Sequence, residues 1–180
     1  MKFPLSLDFT LESERLQLRA PREEDIPYIF EATRVKGFND GMQWEPPFHP
    51  DELLPPLNAH LGAWVEGTAF GFAIEDRSTG EFLGRISIRP TQEENCWDIG
   101  YWTHPKAQGK GIMTEAVATV LTFAYEELQV TEVVAAYAVW NKASQRVLEK
   151  NGFVYLSHLP KGFQKHGKGI AETLMIRRKQ

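Results

Sequence analysis

A change of hydrophobic period between residues 97 and 128 constrains the fold of this chain more than any other feature. Residues 97–102 (WDIGYW) form an apolar, aromatic run that predicts a strand. Between residues 113 and 128, apolar side chains recur at helical spacing, as in Val117, Leu121 and Ala124. The connecting segment 104–113 (HPKAQGKGIM) contains two glycines, so the chain must turn sharply from a strand into a helix.

The rest of the chain alternates between strand-like and helix-like segments, with no break that would divide it. Residues 37–50 hold two glycines, three prolines and three aromatic side chains, which indicates a structured loop. We therefore expect one α/β (α+β) domain over residues 1–180, with a mixed, mostly antiparallel twisted sheet of about seven strands and about four helices. The other strands are predicted at 15–19, 70–74, 82–88, 133–140, 153–159 and 170–176, and the other helices at 23–34, 51–66 and 144–150.

Composition narrows the class of protein. Lys and Arg total 20 against 24 for Asp and Glu, so the net charge of −4 gives no basic excess for nucleic-acid binding. The single cysteine, Cys96, forbids an intrachain disulfide and a cysteine-based zinc site, and it favours a cytoplasmic location. The five histidines show no metal-ligand spacing, so we expect no metal. No apolar segment approaches the roughly 18 residues of a membrane helix, so we expect no membrane partner.

The segment 104–113 is the strongest candidate for a binding site. A helix N-terminus presents unpaired N–H groups and a partial positive charge, and Gly109 and Gly111 would let an anion approach the backbone closely. This pattern predicts a phosphate site, although a sharp turn alone would also account for two glycines. A Walker loop is excluded by spacing, and Thr114 stands where a dinucleotide fingerprint needs its third glycine.

The segment Gln108–Ile112 (QGKGI) resembles the Gln/Arg-x-x-Gly-x-Gly/Ala signature of the GNAT superfamily of acetyl-CoA-dependent acyltransferases, with Met113 in place of the usual small residue. Further landmarks at matching separations are similar to those of the superfamily: 98–102 (DIGYW), 140–144 (WNKAS) and Gly152-Phe153. Residues 14–19, 24–25 and 111–116 resemble one branch of the superfamily. That branch contains ribosomal-protein alanine and serine N-acetyltransferases, together with small-amine acetyltransferases. The resemblance covers roughly residues 12–177.

The resemblance implies a fold whose central strands splay apart to hold acetyl-CoA. It implies that backbone amides near Tyr101, Trp102 and Thr103 polarise the thioester carbonyl, and that Asn141 and Ser144 contact the cofactor. Both of the last two residues are also types that cap a helix N-terminus. The coenzyme A pyrophosphate would be held by the loop Gln108, Gly109, Lys110, Gly111, Ile112 and Met113.

Two residues are candidates for the proton transfers of amine acetylation. Many superfamily members carry a tyrosine seven residues after the asparagine; here that position is Leu148, and Ser144 matches a serine proposed for the same task in this branch. Asp98 falls where some members carry a strand glutamate that acts as a base through water. An ordinary carboxylate has a pKa near 4, so burial or a water chain is needed, and a merely exposed aspartate is the alternative.

The acceptor side is predicted at the loop 37–50 and the turn 161–169, with Trp44 and Glu45 as candidate substrate contacts. The resemblance implies transfer of an acetyl group to a primary amine, by direct attack in a ternary complex. The amine would be a protein N-terminus, such as that of a ribosomal protein, or a small molecule, and the enzyme would be a monomer or a homodimer. The alternative is an acetyl-CoA-binding regulatory module with little or no turnover, because Leu148 replaces the tyrosine.

Overall fold

The computed structural model describes residues 3–179, and its elements follow the predicted order. Four α-helices are present in this part of the chain: α1 (Ile26–Thr33), α2 (Leu54–Glu66), α3 (Ile112–Glu126) and α4 (Lys142–Lys150). The strands are β1 (Thr10–Glu12), β2 (Leu16–Arg19), β3 (Phe70–Asp76), β4 (Phe82–Pro90), β5 (Cys96–Thr103), β6 (Glu132–Ala138), β7 (Val154–Lys165) and β8 (Lys168–Arg178). Short 3-10 turns lie directly before α1 and α2, and a third lies at the start of the loop that leads to α3.

All of these strands form one sheet in the order β1-β2-β3-β4-β5-β6-β8-β7. Neighbouring strands run antiparallel except β5 and β6, which pair in parallel, so the expected mixed, mostly antiparallel sheet is confirmed. The sheet has eight strands, one more than the sequence pattern indicates. The additional strand is β1, whose three residues are too few to display an alternating period.

The two central strands separate soon after they meet. Strands β5 and β6 pair only where Cys96, Trp97 and Asp98 lie beside Glu132, Val133 and Val134. Beyond these pairs β5 continues to Thr103 and β6 to Ala138, without pairing to each other. The gap between residues 99–103 and 135–138, called the central opening below, confirms the expected splay.

Side chains on the two faces of the sheet pack against different helices. Because neighbouring side chains of a strand point to opposite faces, Phe70 and Phe72 of β3 lie on one face and Ala73 on the other. Phe123 of α3 contacts both phenylalanines, with ring centroids 5.6 and 5.8 Å away. Ala73 packs with Ile29 of α1 in a separate buried cluster. The central opening therefore lies in a sheet that is covered by different helices on its two faces.

Two boundaries differ from the sequence-based expectation near the candidate site. Helix α4 begins at Lys142, two residues earlier than predicted, because Asn141 caps it by accepting a hydrogen bond from the Ser144 N–H at 3.1 Å. The expected turn at 161–169 is instead mostly strand: β7 and β8 extend to Lys165 and from Lys168. A register shift between Leu159 and Phe163 lets the proline and glycine in between interrupt the ladder without ending the strand.

Candidate active site

The loop before α3 has the geometry of an anion-binding helix N-terminus. Gly109 and Gly111 both have φ near +75°, a conformation that side chains with a Cβ rarely adopt. Gly111 is the N-cap of α3, and its carbonyl accepts the N–H of Glu115 at 3.2 Å. The N–H groups of the first turn therefore have no helical acceptor. The buried side chains of Ile112 and Met113 belong to the core, so these two residues offer the loop only their backbone.

This loop is held in place by residues from the start of the chain. Arg15 donates through Nη1 to the Lys110 carbonyl at 3.1 Å and through Nε to Glu115 at 2.7 Å. Glu115 also accepts hydrogen bonds from the Ser13 hydroxyl and the Arg15 N–H. Burial raises the pKa of Glu115, but these hydrogen bonds and the charge of Arg15 outweigh burial and leave it below its usual value. The segments 14–19 and 111–116, which carry the branch resemblance, are thus in direct contact.

Tyr101 and Ser144 meet across the central opening. The Tyr101 hydroxyl lies 2.8 Å from Ser144 Oγ, which joins β5 to the first turn of α4. Burial raises the pKa of the Tyr101 phenol well above its usual range, although the hydrogen bond with Ser144 opposes the shift. Both hydroxyls are therefore neutral near pH 7. Ser144 is not the helix cap that its residue type allowed, since Asn141 fills that position.

A cleft of about 680 Å³ opens on the opposite face of β5, and the side chain of Asp98 lies in it. Asp98 is 23% exposed and pairs with Arg89 Nη2 at 2.7 Å. Burial raises the pKa of the Asp98 carboxyl, and the charge and hydrogen bond of Arg89 partly offset this. Asp98 is therefore neither fully exposed, as the alternative interpretation supposed, nor free of a partner.

The structure adds a second carboxylate that sequence reasoning missed. Glu172 of β8 lines the same cleft and is 7% exposed. Burial and the nearby charge of Asp98 raise the pKa of its carboxyl. Its side chain packs against Gly162, where a Cβ would lie 2.3 Å from Glu172 Oε2. A charged residue in a final strand looks solvent-exposed in the sequence, and only the pairing register with β6 and β7 turns it toward the cleft.

The predicted acceptor loop does line the cleft. Trp44 and Glu45 both contribute to its wall, together with other residues of the loop 37–50. Lys165 of β7, whose side chain is 5% exposed, donates to the Trp44 carbonyl at 2.9 Å and pairs with Glu45 Oε2 at 3.2 Å. A buried ammonium therefore ties this loop to the last hairpin.

The remaining predicted residues divide between the two faces. Asn141 and Ser144 lie on the side of α4, with the Asn141 amide oxygen already occupied by the cap.

The Trp102 ring packs edge-on against Phe38 at 5.3 Å and lines the cleft. The Gln108 amide donates to the carbonyl of Thr103 at 3.4 Å, linking the end of β5 to the loop. Lys110 is exposed beside that loop.

Residues 3–179 contain neither a cluster of metal ligands nor a membrane-spanning helix. No group of three or more His, Cys, Asp or Glu side chains is arranged to hold a metal ion in this part of the chain. Within the same range, no helix combines the length and apolar character needed to cross a membrane.

The splayed central strands and the glycine-rich helix N-terminus are the features that the resemblance to acetyl-CoA-dependent acyltransferases implies, and a charged cleft lies on the opposite face of the sheet. Comparison with known proteins agrees: the family described as "Acetyltransferase (GNAT) domain" matches residues 15–154. The chain belongs to this family.

Relatives and solved structures show the same relationship. YkkB, an uncharacterised Bacillus subtilis protein, is 39% identical over 115 residues, which are 60% of this chain and 64% of YkkB. The Escherichia coli [Ribosomal protein uS5]-alanine N-acetyltransferase is 29% identical over 118 residues, which are 61% of this chain and 60% of that enzyme. The chain thus spans less than two thirds of either relative. The structure of Mycobacterium smegmatis RimJ in complex with CoA-disulfide has the same fold, with a TM-score of 0.81, 23% identity and coverage of 94% of this chain and 87% of that one.

Proposed function

We propose that residues 1–180 form a single acetyl-CoA-dependent N-acetyltransferase that transfers an acetyl group to a primary amine. One observation carries the proposal. The central opening joins the face that bears the glycine loop, Tyr101 and Ser144 to a cleft on the other face that bears Asp98 and Glu172. A thioester held on the first side would be accessible to an amine held on the second.

The glycine loop fits the pyrophosphate of coenzyme A. A Cβ at Gly109 would meet no atom within 4 Å, and one at Gly111 would meet only the end of the Arg15 side chain at 3.6 Å, so this surface is open. The N–H groups of residues 109–113 and the charge of Lys110 would bind the phosphate oxygens. The backbone near Tyr101, Trp102 and Thr103 and the side chains of Asn141 and Ser144 would contact the rest of the cofactor.

The proton transfers can be assigned to residues on the two sides of the opening. The acceptor ammonium must lose a proton before its nitrogen bonds to the acetyl carbon, and Asp98 or Glu172 would take it, directly or through water. As the carbon–sulfur bond breaks, the leaving thiolate gains a proton, which Ser144 would supply with Tyr101 as its hydrogen-bond partner. The second proton that the attacking nitrogen gives up as the amide forms would restore the serine hydroxyl. Leu148, at the position of the usual tyrosine, is fully buried in the core and has no part in this step.

The proposal includes two classes of acceptor amine, a protein N-terminus and a small molecule. The name of the Escherichia coli relative supports a protein N-terminus as the amine, and the small-amine alternative uses the same chemistry. A cytoplasmic location and a monomeric or homodimeric state remain predictions.

Thiol release tests the proposal directly. The purified protein is incubated with acetyl-CoA and a panel of N-terminal peptides, polyamines and other small amines, and free thiol is measured. We expect amine-dependent release of one thiol for each acetylated product detected by mass spectrometry. Coenzyme A binding by calorimetry, without thiol release for any amine, would instead support the regulatory module.

A further inference from the structure

Arg85 of β4 is a cation without a carboxylate partner in the cleft. Within residues 3–179, no Asp or Glu oxygen lies within 4 Å of its guanidinium. The side-chain partner found for it in this range is His60 of α2, with Nη2 and Nδ1 3.3 Å apart. Arg85 is half-buried, and a charge that is partly shielded from water and has no carboxylate partner is suited to bind an anion.

The neighbouring arginines of the cleft show what Arg85 lacks. Arg22 pairs with Glu75 at 3.0 Å, and Arg89 pairs with Asp98 at 2.7 Å. Asp25 is the carboxylate whose charge acts on Arg85, and both of its oxygens already accept hydrogen bonds from Arg19. The charge of Arg85 therefore remains available to a ligand.

His60 contacts Arg85 without offsetting its positive charge. Burial, together with the charges of Arg85 and Arg89, lowers the pKa of His60 to about 4. Its imidazole is therefore neutral near pH 7 and can accept the Arg85 N–H through Nδ1. The contact orients the guanidinium without neutralising it.

The register of the sheet gives the distance from the Arg85 guanidinium to the end of the cleft that borders the central opening. Gly71, Ser87 and Gly100 are paired across β3, β4 and β5 in one row. The guanidinium lies over Gly71, since Arg85 Nη2 is 3.3 Å from where a Cβ would stand there. Gly100 borders the central opening two strands away, which is about 10 Å at ordinary strand spacing.

Two carboxylates lie toward one end of the cleft, one of them paired with Arg89, and the unpaired Arg85 lies toward the other end. Asp98 and Glu172 lie toward the central opening, where an ammonium would be deprotonated before its nitrogen attacks the thioester carbonyl. Arg85 lies toward α2 at the other end. An acceptor with an amine at one end and a carboxylate about 10 Å away would match both, and an extended peptide covers that distance within about three residues.

We propose that Arg85 binds a carboxylate of the acceptor, and that the preferred acceptors are peptides with a free N-terminus and an acidic side chain within their first three residues. The proposal rests on the proposed function, because it identifies the acceptor of that reaction. It assigns to Arg85 the choice of acceptor and no part in the chemical step.

Matched peptides test this without any mutation. The probes are Ala-Ala-Glu-Ala-amide and Ala-Glu-Ala-Ala-amide, each compared with the peptide in which Gln replaces Glu. An ionic hydrogen bond to Arg85 should favour at least one glutamate peptide by roughly tenfold to a hundredfold in kcat/KM. The preference should appear mainly in KM and should shrink at high salt.

Variants then attribute the preference to Arg85. Arg85→Gln should abolish the difference between the glutamate and glutamine peptides, and Arg85→Lys should retain part of it. The matched control is Arg178→Gln, which removes the same charge from an exposed pair with Glu132 at the far end of β8. The control should leave the preference intact. Thermal unfolding of each variant confirms that the compared proteins are folded.

Failure of this inference is distinguishable from failure of the proposed function. Equal kcat/KM for both members of each pair, or a preference that survives Arg85→Gln, would overturn the inference while acetylation itself stands. If no peptide is acetylated, calorimetric titration of the same pairs into the coenzyme A-saturated protein decides. Tighter binding of a glutamate peptide, lost in Arg85→Gln, supports the inference, and equal binding refutes it.

Discussion

Tyr101 Oη and Ser144 Oγ lie 2.8 Å apart across the central opening. The contact joins β5, which separates from β6 after Asp98, to the helix that Asn141 caps. Because burial keeps the phenol protonated, Tyr101 can donate to Ser144 Oγ and leave the serine proton free to move. The two hydroxyls therefore form one unit, with Ser144 as the candidate acid and Tyr101 as its positioning residue.

The first prediction concerns this pair. If Ser144 protonates the leaving sulfur, Ser144→Ala should lower kcat by about 10²–10⁴ and change coenzyme A affinity little. Tyr101→Phe should lower kcat less, and the double variant should be no slower than Ser144→Ala, because both changes remove the same unit. Single-turnover rates with a peptide acceptor provide the measurement.

The stability control for this prediction is Asn141→Ala. Loss of the N-cap should cost roughly 1 kcal/mol in the free energy of unfolding, whereas Ser144→Ala should cost less. Turnover of Ser144→Ala within about threefold of the original protein would remove Ser144 from the acid role and leave water as the donor.

The second prediction concerns the glycine loop. Gly111→Val places a β-branched residue at φ +75° and should weaken coenzyme A binding more than tenfold, by moving the N–H groups that face the phosphates. The matched control is Gly80→Val in the turn between β3 and β4, where φ is +72° and no atom lies within 4 Å of the added Cβ. The control should carry similar strain but bind coenzyme A normally. Unchanged affinity in folded Gly111→Val, measured by calorimetry, would show that the phosphates bind elsewhere.

Local patterns predicted the parts of the fold that depend on neighbouring residues. The change of period around residues 104–113 located β5, the glycine loop and α3, because each of these signals lies within a few residues. The turn predicted at residues 161–169 rests on the glycines and lysines there, and most of that segment is strand in the structure. Strand β7 continues past Pro160 and Gly162 through an irregularity in its pairing, because β8 pairs with β7 on both sides of that irregularity.

The cleft could be predicted only in part. Trp44 and Glu45 were found because aromatic side chains in a proline-rich loop need a reason to be there. Arg85 and Glu172 were missed, because the face on which a strand residue lies depends on pairing between distant strands. The contact between Arg15 and Glu115, 100 residues apart, likewise has no local signal.

The third prediction concerns the candidate base. Arg89 lowers the pKa of Asp98, so Arg89→Gln should raise that pKa further above its ordinary value. If Asp98 must be ionised to accept the ammonium proton, the acid limb of the kcat/KM profile should move to higher pH. The shift should be modest, since Arg89 is partly exposed and solvent screens its charge. Profiles of kcat/KM against pH provide the measurement.

Two further variants complete this test: Arg77→Gln as the control, and Glu172→Gln for the second carboxylate of the cleft. Arg77→Gln removes an exposed arginine whose partner is Glu12, remote from the cleft, and should leave the profile in place. An acid limb that does not move in Arg89→Gln, but disappears in Glu172→Gln, would assign the base to Glu172. In that case Asp98 serves only as the partner of Arg89.

The last prediction concerns the buried ion pairs beneath the cleft. Arg19 donates to both oxygens of Asp25, at 3.0 and 2.6 Å, and to Glu75 at 2.5 Å, and all three residues are at most 9% exposed. Arg19→Met should lower the free energy of unfolding by about 3–5 kcal/mol, because it takes from the buried Asp25 the cation that binds both of its oxygens and leaves mainly the Arg22 N–H. Arg77→Met, which breaks a half-exposed pair, should cost less than about 1 kcal/mol. Urea unfolding at pH 7 compares the two, and equal losses would mean that solvent reaches the Arg19 cluster and screens its charges.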